Sequence, residues 1–126
     1  MATKNEKQTK KFLDGEADEW FSRNEHAISS KKIEDDMLTT TILNTLKLKP
    51  TTVLEIGCSS GWRLEMIRKK QNAKCYGIDP GRKAIASGSK KYPELNLVIG
   101  QARNLPFDDA SFELVIVGFC MYLCDP

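Results

Sequence analysis

The segment Glu55-Ile56-Gly57-Cys58-Ser59-Ser60-Gly61 sets two glycines on either side of a tight turn, with an acidic side chain just before it. Glycine tolerates positive φ and carries no Cβ, so such a turn lets a ligand come close to the backbone. One glycine between a strand and a helix would signal only a turn. Asp79, 22 residues after Gly57, supplies what a nucleotide site needs next, because a carboxylate at the end of the second strand can accept hydrogen bonds from both ribose hydroxyls. Aspartate before Pro80 also suits a helix N-cap, and one side chain can fill both roles.

Spacing narrows the nucleotide. A dinucleotide fingerprint starting at Gly57 needs glycine at positions 59 and 62, where this chain has Ser59 and the bulky Trp62. A phosphate-cradling P-loop needs lysine and then serine or threonine after its last glycine, but Gly61 is followed by Trp62 and Arg63.

These residues require a particular set of elements. Residues 1–14 are polar and lysine-rich and read as a flexible tail. Residues 15–50 read as an amino-terminal helical segment: Trp20 and Phe21 lie in an amphipathic stretch, and Ile33, Met37, Ile42 and Leu46 recur at near-helical spacing after a Ser30 cap. The β-branched apolar run over 52–57 predicts a buried strand, 62–70 a helix with Leu64 and Ile67 inward, and 74–78 a second strand ending at Asp79. Pro80 opens a helix over 82–91 that Pro93 stops, 95–99 is a third strand, and 112–119 a fourth. Alternating strands and helices predict an α/β, Rossmann-like parallel sheet with helices on both faces, and ligands bind such sheets at the carboxyl ends of the strands where strand order reverses.

Composition agrees with a soluble globular domain: 40% hydrophobic and 29% charged residues, with a net charge of +2 that marks no nucleic-acid or lipid surface. No stretch approaches the about 18 apolar residues of a membrane span, and the lysines at the start precede no apolar run, so a cytoplasmic location is expected. Cys58, Cys75, Cys120 and Cys124 lack paired C-x-x-C spacing and read as reduced core thiols, with no metal expected. His26, the single histidine, has no visible orienting partner and is not assigned a catalytic role. Arg63, Arg68, Lys69 and Lys70 read as a solvated basic helix face.

VLEIGCSSG, YGIDP and GQARNLPFDDASFELVIVGF, in that order across residues 52–119, resemble the class I S-adenosylmethionine-dependent methyltransferases, whose first motif runs acidic residue, x, Gly, x, Gly, x, Gly. The resemblance implies S-adenosylmethionine as cofactor, held in a partial Rossmann-like domain over 51–126. Glu55, Gly57 and Gly61 would bracket its methionine end, with Cys58 and Ser59 also cofactor-binding, and Asp79 would hold the ribose. Gln101, Ala102 and Arg103 would flank the adenine, Ile78 and Pro80 would wall it, and Val117, Gly118 and Phe119 would lie beside the sulfonium.

Two positions depart from the pattern. Ser59 replaces the middle glycine, and Gln101 stands where an acidic acceptor is common, although its carbonyl oxygen can still accept from an adenine amino group.

The implied reaction is in-line methyl transfer to a small-molecule acceptor, with the protein supplying orientation and water exclusion. FLDGEADEWFSRNE faintly resembles methyltransferases of surface-polysaccharide sugar biosynthesis, which suggests a sugar-related acceptor. In the family the helical amino-terminal segment often packs over the cofactor as a lid, and the sheet normally has seven strands. A chain ending after the fourth is expected to be a truncated domain with an exposed apolar edge that favours self-association. A noncatalytic nucleotide-binding or interaction module, and an NAD-dependent oxidoreductase, are the alternatives.

Overall fold

The computed structural model describes residues 4–118. Strands β1 (Thr52–Ile56), β2 (Lys74–Asp79), β3 (Asn96–Ile99) and β4 (Leu114–Val117) form one parallel sheet in the order β3-β2-β1-β4. Helix α4 (Trp62–Gln71) connects β1 to β2, and α5 (Arg82–Lys91) connects β2 to β3. Before the sheet come α1 (Lys4–Lys11), α2 (Ala17–Ser29) and the short α3 (Met37–Thr40). Among the described residues no helix is long and apolar enough to cross a membrane.

Register brings the strand ends level. Ile56 of β1 lies beside Ile78 of β2 and Val117 of β4, and Asp79 lies beside Ile99 of β3. The chain moves outward through β2 and β3 and then returns to the other side of β1, so the strand order reverses between β1 and β4, where a ligand crevice opens in this type of sheet.

Alternation along β1 divides the core. Val53 packs with Cys75, Ile116, Leu64 and Ile67 of α4 and Ile85 of α5, which places both helices on one face. Full burial of Leu64 and Ile67 contributes about 1.5–3 kcal/mol each. On the opposite face Leu54, Ile56 and Ile78 are covered by the chain that follows β3: Ala102, Phe107 and Phe112 fold back over them, and the rings of Tyr76, Phe107 and Phe112 meet edge to face at 5.2–5.8 Å. Val115 and Val117 of the outer strand β4 remain exposed.

The amino-terminal half departs from its sequence reading in three ways. The lysine-rich segment is helical from Lys4, with mostly strong helix formers (lysine, glutamate and glutamine) and basic residues in its last turn. Ser30 closes α2 instead of opening the next helix; Asp36 is the N-cap of α3, accepting from the Thr39 N–H at 3.1 Å. Of the four apolar residues read as one helical face, Ile42 is buried but Met37 is 82% exposed and Leu46 is exposed. Their spacing of 4, 5 and 4 residues drifts around a helix, and the segment is in fact divided among a 3-10 turn (Ile33–Asp35), α3 and a wide turn (Thr41–Thr45).

Helix α2 packs across the start of the core helices. Phe21 and Ile28 meet Ala84 of α5 and Trp62 of α4, while Asp18 Oδ1 accepts from the Lys83 N–H at 2.9 Å and so caps the first turn of α5. Trp20 and His26 are exposed.

Candidate functional site

The turn after β1 is built on left-handed backbone. Gly57 has φ 77°, Ser59 φ 54° and Gly61 φ 84°, and the Gly61 N–H closes the turn on the Cys58 carbonyl at 2.9 Å. The N–H groups of Gly57 and Cys58 extend the sheet ladder by both donating to the Ile78 carbonyl, at 2.8 and 3.2 Å.

Ser59 thus occupies a conformation that suits the glycine it replaces, and its buried Oγ has no hydrogen-bond partner. Ser59→Gly should therefore raise stability by about 0.5–1 kcal/mol, the relieved strain exceeding the extra chain entropy of glycine. Thermal unfolding of the two proteins measures this, and a lower midpoint for the variant would reject the strain assignment.

Asp79 is tied into the same turn. Its Oδ2 accepts from the Ser59 N–H at 2.9 Å and its Oδ1 from the Gly81 N–H at 2.8 Å, so it caps the start of α5 and joins it to the turn. Burial pushes its carboxyl above the usual aspartate range, against the pull of those two N–H donors, with Asp18 adding repulsion. Pro80 beside it is half-buried.

Glu55 is 1% exposed, one residue before the carboxyl end of β1. Its Oε2 accepts from Arg63 Nη1 at 2.5 Å, while its Oε1 is buried without a partner. The same guanidinium grips Asp36 with two bonds, Nε to Oδ2 at 2.7 Å and Nη2 to Oδ1 at 3.0 Å, and stacks over the Trp62 ring at 4.6 Å from its centroid. One buried cation therefore serves two buried carboxylates. Burial would raise Asp36, but Arg63 and the hydroxyl and N–H of Thr39 outweigh it and hold that carboxyl below its ordinary value. Burial pushes Glu55 up to about 7 against the attraction of Arg63, and the charges of Asp36 and Asp79 push the same way. The stability linked to Glu55 is accordingly full below its ordinary value of 4.5 and lost as pH rises towards 7, and that linked to Asp36 is lost as pH falls below 3.8.

Arg63 is thus not part of a solvated basic face. At about 100° per residue it lies near Ile67 on the inner side of α4, whereas Arg68 pairs with Glu65. Neither Arg63 nor Asp36 was singled out for the site from sequence. The available signal was Glu55 itself, since a carboxylate in a buried strand demands a counter-charge close by.

Gly118 follows β4 and donates to the Ile56 carbonyl at 3.0 Å. A Cβ there would stand 3.2 Å from the Gly57 oxygen and 3.8 Å from Glu55 Oε2, so the end of β4 borders the turn and the acid together. Gln101 and Ala102 follow Gly100, whose N–H donates to the Asp79 carbonyl at 3.1 Å, and both are half-buried. The structure therefore gathers Glu55, Gly57, Cys58, Ser59, Gly61, Asp79 and Gly118 around one turn, with Pro80, Gln101 and Ala102 along its β3 side. Phe119, Cys120 and Cys124 lie outside the described residues. Cys58 and Cys75 are buried, and burial raises the Cys75 thiol to about 11.

Residues 53–126, more than half of the chain, match the family described as a methyltransferase domain. A demethylmenaquinone methyltransferase of Chlorobaculum tepidum is 34% identical over 67 residues, 53% of this chain and 28% of that protein. The norajmaline N-methyltransferase of Rauvolfia serpentina is 29% identical over 101 residues, 75% of this chain and 35% of that protein. The match thus spans only about a third or less of those relatives. Among solved structures, the plantazolicin methyltransferase BpumL in complex with a pentazolic desmethylPZN analog and SAH shares the fold, with a TM-score of 0.55 at 24% identity over 88% of this chain and 49% of that one. Family match, strand order and glycine turn agree, and the chain belongs to the class I S-adenosylmethionine-dependent methyltransferase family.

Proposed function

We propose that this chain carries the cofactor-binding part of an S-adenosylmethionine-dependent methyltransferase acting on a small-molecule acceptor. The observation that carries the reading is the bond from the Ser59 N–H to Asp79 Oδ2, which makes the glycine turn and the ribose-directed acid a single unit. Two further features fit this cofactor: the unpartnered Oε1 of Glu55, an acceptor suited to an ammonium group, and Gly118, where a side chain would crowd the rim of the turn.

When bound, the cofactor supplies a methyl group activated on sulfonium. Asp79 keeps lone pairs for the two ribose hydroxyls, Gly57 and Gly61 leave the backbone open, and Glu55 meets the ammonium. Pro80 and Ala102 wall the adenine, Ile78 being sealed in the core behind them, and Gln101 accepts from its amino group. Helix α2, anchored by Phe21 and Ile28 beside Trp62, would exclude water from that end of the sheet. Two relatives are named for demethylmenaquinone and norajmaline, which supports a small organic acceptor; a sugar-related one is the finer form suggested by the amino-terminal segment.

Titration calorimetry with S-adenosylmethionine and S-adenosylhomocysteine, with NAD as control, tests the reading. Both adenosyl ligands should bind, NAD should not, and Asp79→Asn should weaken binding about 10- to 100-fold through loss of a charged acceptor. Binding of NAD, or undiminished affinity in the variant, would overturn the assignment.

A further inference from the structure

The charge cluster beneath the glycine turn is incomplete. Its members come from three elements: Glu55 from near the carboxyl end of β1, Arg63 from the first turn of α4, and Asp36 from the cap of α3. All three are buried, and two carboxylates share one guanidinium. The bonds are unequal. Asp36 takes the two-pronged face of Arg63 and both donors of Thr39, whereas Glu55 takes a single bond and leaves Oε1 bare. The other titratable groups facing Glu55 make its position worse: Asp79 at the end of β2 adds a third acid, the Cys75 thiol of β2 carries no positive charge, and Ile116 and Gly118 on the β4 side offer none. The cluster is thus one positive charge short, and the deficit falls on Glu55 Oε1.

We propose that Asp36 and Arg63 are positioning residues that make Glu55 a proton-exchanging cation site, in which a ligand's primary ammonium supplies the missing charge and displaces one proton from the Glu55 carboxyl. This rests on the functional reading above for the ligand's identity but not for the arrangement of charge. The step balances: the carboxyl O–H bond breaks, the proton passes to the buffer, and the carboxylate pairs with the incoming ammonium. Asp36 belongs to the amino-terminal helical segment and acts on the cofactor site through Arg63.

Two measurements test this. The first needs no ligand: carbon-13 NMR titration of glutamate carboxyls in the whole chain, with Glu55→Gln identifying the resonance. Glu55 should titrate near 7 in the parent, and Asp36→Asn, which removes one acid at nearly the same size while giving up the acceptor that one Arg63 or Thr39 donor uses, should move it down by about one unit or more. An ordinary value in the parent, or no movement in a folded Asp36→Asn protein, would overturn the proposal. The second compares S-adenosylhomocysteine with 5′-methylthioadenosine, which lacks the amino-acid end, by calorimetry at pH 6 in two buffers of different ionisation enthalpy. The first ligand should release about one proton and the second none. Equal proton release from two ligands that both bind overturns the proposal and leaves the functional reading intact. If neither binds, the functional reading falls together with the ligand half of the proposal, and the NMR titration alone decides the charge arrangement.

Discussion

Arg63→Met is expected to destabilise the chain by about 3–5 kcal/mol in urea unfolding at pH 7, because it strands Asp36 as a buried carboxylate without its counter-ion. For a domain whose whole stability is about 5–15 kcal/mol, that loss brings the protein near its unfolding threshold. Methionine keeps the apolar stem and much of the volume, so the cost reads the lost charge more than a cavity. Arg68→Met is the control. Arg68 is bonded to Glu65 on the partly exposed side of α4, and its loss should cost less than about 1 kcal/mol. Adding Asp36→Asn to Arg63→Met should recover part of the loss, since the stranded carboxylate is then replaced by a group that needs no cation. Equal costs for the Arg63 and Arg68 variants would show that the buried cluster does not bear on stability.

The sheet and its connections were legible in the sequence because each depends on local chemistry. Apolar β-branched runs gave β1 and β4, the short segment ending at Asp79 gave β2, and Pro80 with Pro93 bounded the segment that folds as α5. The turn with Asp79 was legible because glycine and a strand-end acid stand at fixed separations in this fold. Arg63 was not. Counting charges on α4 groups it with Arg68, Lys69 and Lys70, and only the position of Glu55 under the helix shows why an arginine should point inward. Asp36 was hidden for a related reason: its partner lies 27 residues away, and Ser30 offered an equally good local cap. Residues 30–46 misled through apolar spacing, since the segment answers to a long-range ion pair and not to one continuous apolar stripe.

Gly88 provides the second large effect. It lies within α5, where a glycine normally costs about 1 kcal/mol relative to alanine, so helix propensity alone predicts that Gly88→Ala stabilises. The packing predicts the opposite. A Cβ on Gly88 would fall 2.0 Å from the Ser60 carbonyl oxygen and 2.7 Å from its carbon, and backbone atoms of a tight turn cannot rotate away as a side chain can. Helix α5 would have to back off, which pulls the N–H of Gly81 from Asp79 and loosens Ile85 from the core. Overpacking of this kind costs about 3 kcal/mol or more, well beyond the propensity gain. The variant should therefore unfold at lower urea than the parent. It should also bind S-adenosylhomocysteine more weakly although no ligand-directed side chain has changed, because the displaced strand-to-helix turn carries Gly57 and Ser59. Ser89→Ala, one residue on and exposed, isolates the propensity effect and should leave both measurements near those of the parent. A Gly88→Ala protein as stable as the parent would mean that α5 and the turn stand further apart than this packing requires.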